Sequence, residues 1–240
     1  MKKSILIFII TYNASFRLKS VFNKIPLNNN KFNLKILISD DVSKDDTRIV
    51  AKKIKNIHQC VLLNFNKKNK NYGGNIKYCL NYSIKNDYDY AVMIHGDDQY
   101  DPSIIFDMIK KIANNKNYAA VCGSRMINKK NALKGGMPLY KFIGNIFLTN
   151  VFNFFYNTKF TDCHTGFWIY NLSILKKINY NQVTNSFNFD NQLRIKLIKN
   201  YKISEFSIKT FYRNENSSLH LIYSFRFLID IFLDKIFRNK

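Results

Sequence analysis

The chain has 240 residues, 46% hydrophobic and 15% aromatic, enough to bury a substantial core and too apolar for a disordered chain. Eight Gly and three Pro exclude collagenous and Pro-rich architectures, and no apolar run approaches the roughly 18 residues of a bilayer-spanning helix. Thirty-eight Lys and Arg against 16 Asp and Glu give a net charge of +22, a field that attracts phosphates, anionic lipid or nucleic acid; Asn, Lys and Ile are abundant together, so part of that charge reads as solvated surface.

The start, MKKSILIFIITYNAS, mimics a signal peptide, but its apolar stretch Ile5–Ile10 is short and Thr11-Tyr12-Asn13 interrupts it at once. It reads as a buried first strand. Further aliphatic runs at Ile36–Ser39, Val61–Asn64, Ala91–Ile94 and Ala119–Cys122 alternate with segments of helical character at Ser15–Lys24, Asp45–Asn56, Gly74–Asn86 and Pro102–Asn114. Strand following helix in this way predicts an α/β fold, a mostly parallel sheet covered on both faces, with ligands beyond the carboxyl ends of its strands. The second half predicts an aromatic-rich helix at Pro138–Tyr156, a helix at Ser186–Asn200, a strand at Ile203–Ile208 and an amphipathic tail at Leu219–Phe237. No linker or repeat divides the chain, so one domain over residues 1–218 with a helical elaboration at 219–240 is expected. Cys60, Cys79, Cys122 and Cys163 lack the spacing of a zinc site or a disulfide framework, which points to a reducing, cytoplasmic compartment.

Acidic groups gather where strands end: Asp40-Asp41 in ILISDDVSKDDT, Asp97-Asp98 in VMIHGDDQYDP, and Asp162 in TDCHTGFWIY. A lone Asp in such a place is usually a turn or cap residue. Two pairs in one strand series suit a divalent cation bridging phosphates, with Gly96 allowing close backbone approach.

These segments, with ILIFIITYNAS and GSR in the same order, resemble the family 2 glycosyltransferases of the GT-A fold, and within them the dolichyl-phosphate mannose synthase-like and polyprenyl-phosphate branch. FNFDNQLRIKLI and ISEFSIKTFYRNENSSL extend the likeness over nearly the whole chain. The resemblance implies inverting transfer of a sugar from a nucleotide-diphosphate sugar, with Mg²⁺ or Mn²⁺. It places Thr11 and Tyr12 in the nucleotide-contacting first loop and Asp41 at the base or ribose, where an acceptor-only carboxylate reads an N–H. His95, Gly96, Asp97, Asp98 and Gln99 occupy the Asp-x-Asp motif: Asp97 matches its second acid and the main metal ligand, and Gln99 a neutral oxygen ligand. His95 replaces the first acid, which Asp98 could make good. Arg125 and Arg213 match arginines that meet the donor diphosphate with guanidinium forks.

The acceptor divides the expectations. A glycan hydroxyl requires a general base, for which Asp162 and Asp190 are the candidates. A polyprenyl phosphate requires only a cation, and Lys141 falls near the family's acceptor-phosphate position; the apolar helix and tail would then rest on an anionic membrane surface, peripheral to the cytoplasmic leaflet. His164 and Trp168 read more readily as structural residues than as the lining of an acceptor pocket. A nucleotidyltransferase would show a Gly-rich first loop, and TYNASFRLK contains no Gly. A nucleic-acid-binding protein would cluster its basic residues in a recognisable module; here they are dispersed, so no specific nucleic-acid partner is expected.

Overall fold

The computed structural model describes residues 2–212 and 221–237. The first half runs β1 (Lys3–Thr11), α1 (Leu18–Asn23), β2 (Phe32–Asp40), α2 (Thr47–Ile57), β3 (Val61–Phe65), α3 (Asn71–Lys85), β4 (Tyr90–His95), α4 (Ile105–Ala113) and β5 (Tyr118–Ser124). All strands and helices expected there are present, with ends shifted by a few residues. Pro102 opens a short 3₁₀ turn ahead of α4, and the Asp101 side chain caps it by accepting from the Ser103 N–H.

The second half continues with α5 (Lys129–Lys134), α6 (Leu139–Tyr156), β6 (Trp168–Asn171), α7 (Leu172–Leu175), α8 (Phe189–Ile198), β7 (Lys202–Ser207) and α9 (Leu221–Phe237). Pro138 precedes α6 in extended conformation, and Asn157 ends it in the left-handed region.

Among the described residues the strands form one sheet in the order β3-β2-β1-β4-β6-β5-β7. Pairs β1/β2, β1/β4, β2/β3 and β5/β7 are parallel, while β6 is antiparallel to both β4 and β5. Strand β6 was not foreseen. It is four residues long and lies between the two strands that a simple parallel series would make neighbours. Because it runs backwards, its starting residue Trp168 pairs with Met93 and Cys122, near the ends of β4 and β5. The segment before it, with Asp162 and His164, therefore arrives at the same sheet edge as Asp41 and Asp97.

The continuous apolar run of β1 follows from helices on both faces. Ile5, Ile7 and Ile9 pack in one core cluster with α1, α2 and α4, and Leu6, Phe8 and Ile10 in another with α3, α7 and α8. A third cluster joins α6, α8 and α9 through Leu148, Phe152, Ile195, Phe227 and Ile231. The Phe227 and Phe152 rings stack at 6.1 Å, and the Tyr156 hydroxyl donates to Asp234. The tail helix is thus docked on α6 by buried aromatic surface. Phe227→Ala should cost about 3–5 kcal/mol in urea unfolding, the usual price of deleting a buried aromatic ring, whereas Phe225→Ala, at an exposed position of the same helix, should change stability by less than about 0.5 kcal/mol.

Candidate active site

The carboxyl ends of β1, β2 and β4 each lead into a residue with positive φ: Asn13 at 51°, Val42 at 65° and Asp98 at 61°. Val42 is the costly one, since a β-branched side chain is poorly accommodated there. These turns fold the loops back on the sheet edge, where they tie to one another. Asn13 N–H donates to Ser43 Oγ at 2.8 Å, and Lys44 N–H donates to Asn13 Oδ1 at 2.8 Å.

The two acids of the first pair have different environments. Asp40 is fully buried, ion-paired with Arg48 at 2.5 Å, and accepts from Ser43 and Thr11. Thr11 is buried beside it, while Tyr12 is half exposed. Asp41 accepts from Asn66 Nδ2 at 2.9 Å and from the Lys70 N–H at 2.8 Å, both on Oδ1. No described residue donates to its Oδ2.

At the end of β4, Asp97 is the open carboxylate. Its Oδ1 accepts from the Gln99 N–H at 3.0 Å, its Oδ2 lies 3.7 Å from His95 Nδ1, and its carbonyl accepts from Arg17. Burial pushes its pKa up, but the facing His95, the Gln99 N–H and Arg17 outweigh that and hold it below the ordinary carboxylate value. Asp98 behaves otherwise. Its carboxylate accepts from Ser20 at 2.8 Å and from Lys24 at 2.6 Å, and its side chain is fully buried. The acid expected to replace the missing metal ligand instead anchors this loop on α1.

Arg125 and Asp162 require a larger correction. Arg125 donates through Nε and Nη2 to the two oxygens of Asp162, at 2.6 and 2.8 Å, through Nη2 to the His164 carbonyl and through Nη1 to the Tyr212 hydroxyl. The fork expected at the donor diphosphate holds a buried carboxylate. Asp162 also accepts from Asn145 Nδ2 and the His164 N–H. Burial opposes its ionisation, yet the Arg125 charge and these donors hold its pKa well below the carboxylate range. Such an acid does not serve as a general base near neutral pH.

Asp190 has the opposite character. Burial raises its pKa to about 6, against the lowering effect of a 2.6 Å hydrogen bond from the Tyr72 hydroxyl to Oδ2. Its Oδ1 is buried without a partner among the described residues. Tyr72 also meets His95 Nε2 at 3.1 Å, so Asp97, His95, Tyr72 and Asp190 form one contiguous row across the sheet edge. The His95 ring is packed edge-on by Tyr72 and Tyr100. Gly166 passes so close that a Cβ there would lie 2.2 Å from the ring, so only glycine fits.

Lys141, half-buried on α6, lies with Nζ 5.5 Å from the centroid of the Tyr212 ring, and burial followed by the Arg125 charge lowers its pKa. Tyr212 is positioned by its N–H bond to the Gly135 carbonyl at 2.7 Å. Trp168 is buried in the sheet, stacked on Tyr170 and donating to the Thr165 carbonyl. His164 is half-buried with its ring edge-on to Phe227, and desolvation lowers its pKa to about 4. Arg213 lies outside the described residues. Sequence reading missed Tyr72, Tyr100 and Tyr212, each of which reaches the site through long-range packing and carries no local signal.

The family model Glycosyl transferase family 2 matches residues 6–179. No curated protein matches the chain significantly. Among solved structures, the glucosyl-3-phosphoglycerate synthase of Mycobacterium tuberculosis is 14% identical with a TM-score of 0.68, covering 97% of this chain and 80% of its own. The same enzyme in complex with Mn²⁺, uridine diphosphate and glucosyl-3-phosphoglycerate is 12% identical with a TM-score of 0.66, covering 97% of this chain and 79% of its own. A mannosyltransferase of Pyrobaculum calidifontis, in complex with GDP-mannose and Mn²⁺, is 12% identical with a TM-score of 0.65, covering 98% of this chain and 65% of its own. At these identities the likeness is one of fold, and that fold is the expected GT-A arrangement.

The buried pair makes a direct test. Removing either charge alone strands the other, so Arg125→Ala or Asp162→Ala should lower stability by about 3–5 kcal/mol, while Arg125→Met with Asp162→Leu should cost well under the sum. Because the Asp162 pKa is depressed on folding, its contribution is complete above about pH 4 and is lost as acid protonates it. Urea unfolding of the four proteins between pH 3 and pH 7 measures both effects.

Proposed function

Since the chain belongs to glycosyl transferase family 2, we propose that it transfers a sugar from a nucleotide-diphosphate sugar to a hydroxyl of a glycan or similar acceptor, with inversion and with Asp190 as general base. The observation that carries this reading is Asp190 itself: a buried carboxyl with its pKa raised to about 6 and one oxygen without a described partner, in line with the Asp97 motif. A base poised near the working pH and held in the first turn of α8 beside the sheet edge is what hydroxyl activation requires. The acceptor O–H gives its proton to Asp190 Oδ1, the acceptor oxygen bonds to the anomeric carbon, and the bond to the diphosphate breaks with its electron pair on the leaving nucleotide.

The donor would lie across the ends of β1, β2 and β4. Half-exposed Tyr12 offers a ring face to the base, Asp41 Oδ2 accepts a base N–H, and Thr11 and Gly96 shape the floor. Asp97 stays ionised at neutral pH and suits Mg²⁺ or Mn²⁺, with Gln99 as a neutral neighbour. No group of three His, Cys, Asp or Glu side chains among the described residues could hold an ion unaided. That fits a metal taking most of its ligands from the donor's phosphate oxygens. Bound there, it would offset charge on the leaving diphosphate. Asp97→Asn should abolish transfer and remove the Mn²⁺-dependent rise in melting temperature given by the matching nucleoside diphosphate, tested across UDP, GDP, CDP and ADP. Unchanged stabilisation and activity in that variant would overturn the metal assignment.

A lipid-phosphate acceptor is the second reading, favoured by exposed apolar rows on two packed helices: Tyr140, Ile143 and Phe147 on α6, and Phe225, Ile229 and Phe232 on α9. No described helix is long and apolar enough to cross a membrane. In that reading the rows and the +22 charge hold the protein on an anionic surface, and Lys141 takes the acceptor phosphate. The two are separated by paired variants. With a hydroxyl acceptor, Asp190→Asn lowers kcat by about 100-fold or more and Lys141→Ala is mild. With a lipid phosphate, Lys141→Ala raises the acceptor KM, Asp190→Asn is mild, and the protein sediments with anionic liposomes at low salt.

A further inference from the structure

Resting on the assignment of Asp190 as base, we propose that Tyr72 is the positioning residue that makes it one: the Tyr72 hydroxyl, held by His95, fixes Oδ2 of Asp190 and leaves Oδ1 as the oxygen that takes the acceptor proton. The geometry is specific. Tyr72 has one hydroxyl proton, and Asp190 Oδ2 at 2.6 Å receives it. The same hydroxyl oxygen lies 3.1 Å from His95 Nε2, so it has a polar partner on each side. The ring is fixed independently. It stacks on Phe187 at 5.1 Å, and the next residue, Gly73, is packed so tightly that a Cβ would lie 2.6 Å from the Thr184 carbonyl. The segment carrying Asp190 and the start of α3 are therefore held together by backbone contact, and Gly73 N–H donates to the Asn185 carbonyl at 2.8 Å.

The charged and titratable groups facing Asp190 are Tyr72 from α3, His95 from β4, Tyr170 from β6 and Arg194 from α8. Of these, only Tyr72 is within hydrogen-bond distance of its carboxylate. Tyr170 has its own hydroxyl buried without a described partner, and Arg194 donates to the Cys163 carbonyl and Asn191. One donor thus orients the carboxyl and moderates the effect of burial.

The test is Tyr72→Phe, which keeps the ring, its stack on Phe187 and the fold, and removes only the hydroxyl. The assay is release of nucleoside diphosphate from the nucleotide sugar matching the diphosphate that stabilises the protein, with water as acceptor, followed from pH 5 to pH 9. Without the Tyr72 bond the Asp190 anion is less stabilised, so its pKa rises and the acidic limb of kcat should move up by about one pH unit. That is about a fivefold loss near pH 6, approaching tenfold at pH 5 and recovered above pH 8, with donor KM unchanged. A ¹³C NMR titration of Asp-labelled protein, with Asp190→Asn to assign the signal, should show the same displacement without any substrate. Phe187→Leu, which removes the stack and keeps the hydroxyl, should leave the limb in place. A Tyr72→Phe profile lowered uniformly at every pH, or an unmoved NMR titration, would reduce Tyr72 to a packing residue and overturn the proposal. Asp190→Asn at wild-type kcat would instead overturn the base assignment on which it rests. Asp190→Asn inactive with an unmoved Tyr72→Phe limb would overturn this inference alone.

Discussion

The buried pair of Arg125 and Asp162 is the contact on which the segments after β5, before β6 and after β7 converge with α6. Arg125 follows the end of β5, Asp162 leads into β6, Asn145 reaches the same carboxylate from α6, and Tyr212 comes from the segment after β7. Two opposite charges taken from water are tolerable only when their geometry is good and their remaining donors and acceptors are filled. Here the fork is bidentate and the carbonyl of His164 and the hydroxyl of Tyr212 take further donors. The pair sets where the Asp162–Gly166 loop lies, and hence where Gly166 passes the His95 ring. It also places Tyr212 under Lys141.

Set against that pair, Asp190 shows how one sheet edge sustains two opposite carboxyl chemistries. Both acids are buried, and burial alone would raise both pKa values. Asp162 has a guanidinium against it and goes down; Asp190 has one phenol and goes up. The difference lies in the charge of the partner, not in the depth of burial. A carboxyl kept buried with an elevated pKa is destabilising in its ionised form, so the fold carries a cost at neutral pH that structural packing alone would not require. Asp97 and His95 stand between these two environments at the carboxyl end of β4.

The tail illustrates a different balance. Helix α9 buries Phe227 and Ile231 against α6 and leaves Phe225, Ile229, Phe232, Leu233 and Ile236 exposed. A helix apolar on more than one face has more hydrophobic surface than its own domain covers. Helix α6 shows the same excess on its exposed side, with Phe154 among the most open residues of the chain. Packing of the two helices on each other therefore explains the buried rows, and the exposed rows remain available to an outside surface.

The order of amino acids alone specifies the strands and helices of the first half, because short aliphatic runs between amphipathic segments are local patterns with one favourable outcome in a sheet covered on both faces. It also put Asp41 and Asp97 at the carboxyl edge of the sheet, since each follows closely on a parallel strand. The resemblance carried by the motifs was legible for the same reason: it rests on residues near in sequence. What it left undecided was pairing across long distances. Strand β6 is four residues long, and nothing in WIYN says that it runs antiparallel between β4 and β5. Whether an arginine meets a phosphate or a carboxylate depends on folding across the 37 positions from Arg125 to Asp162. The 118 positions from Tyr72 to Asp190 likewise hide a 2.6 Å bond. Folding over those distances sets which carboxyl meets a guanidinium and which a phenol, because a carboxylate's chemistry is set by the partner that folding brings to it.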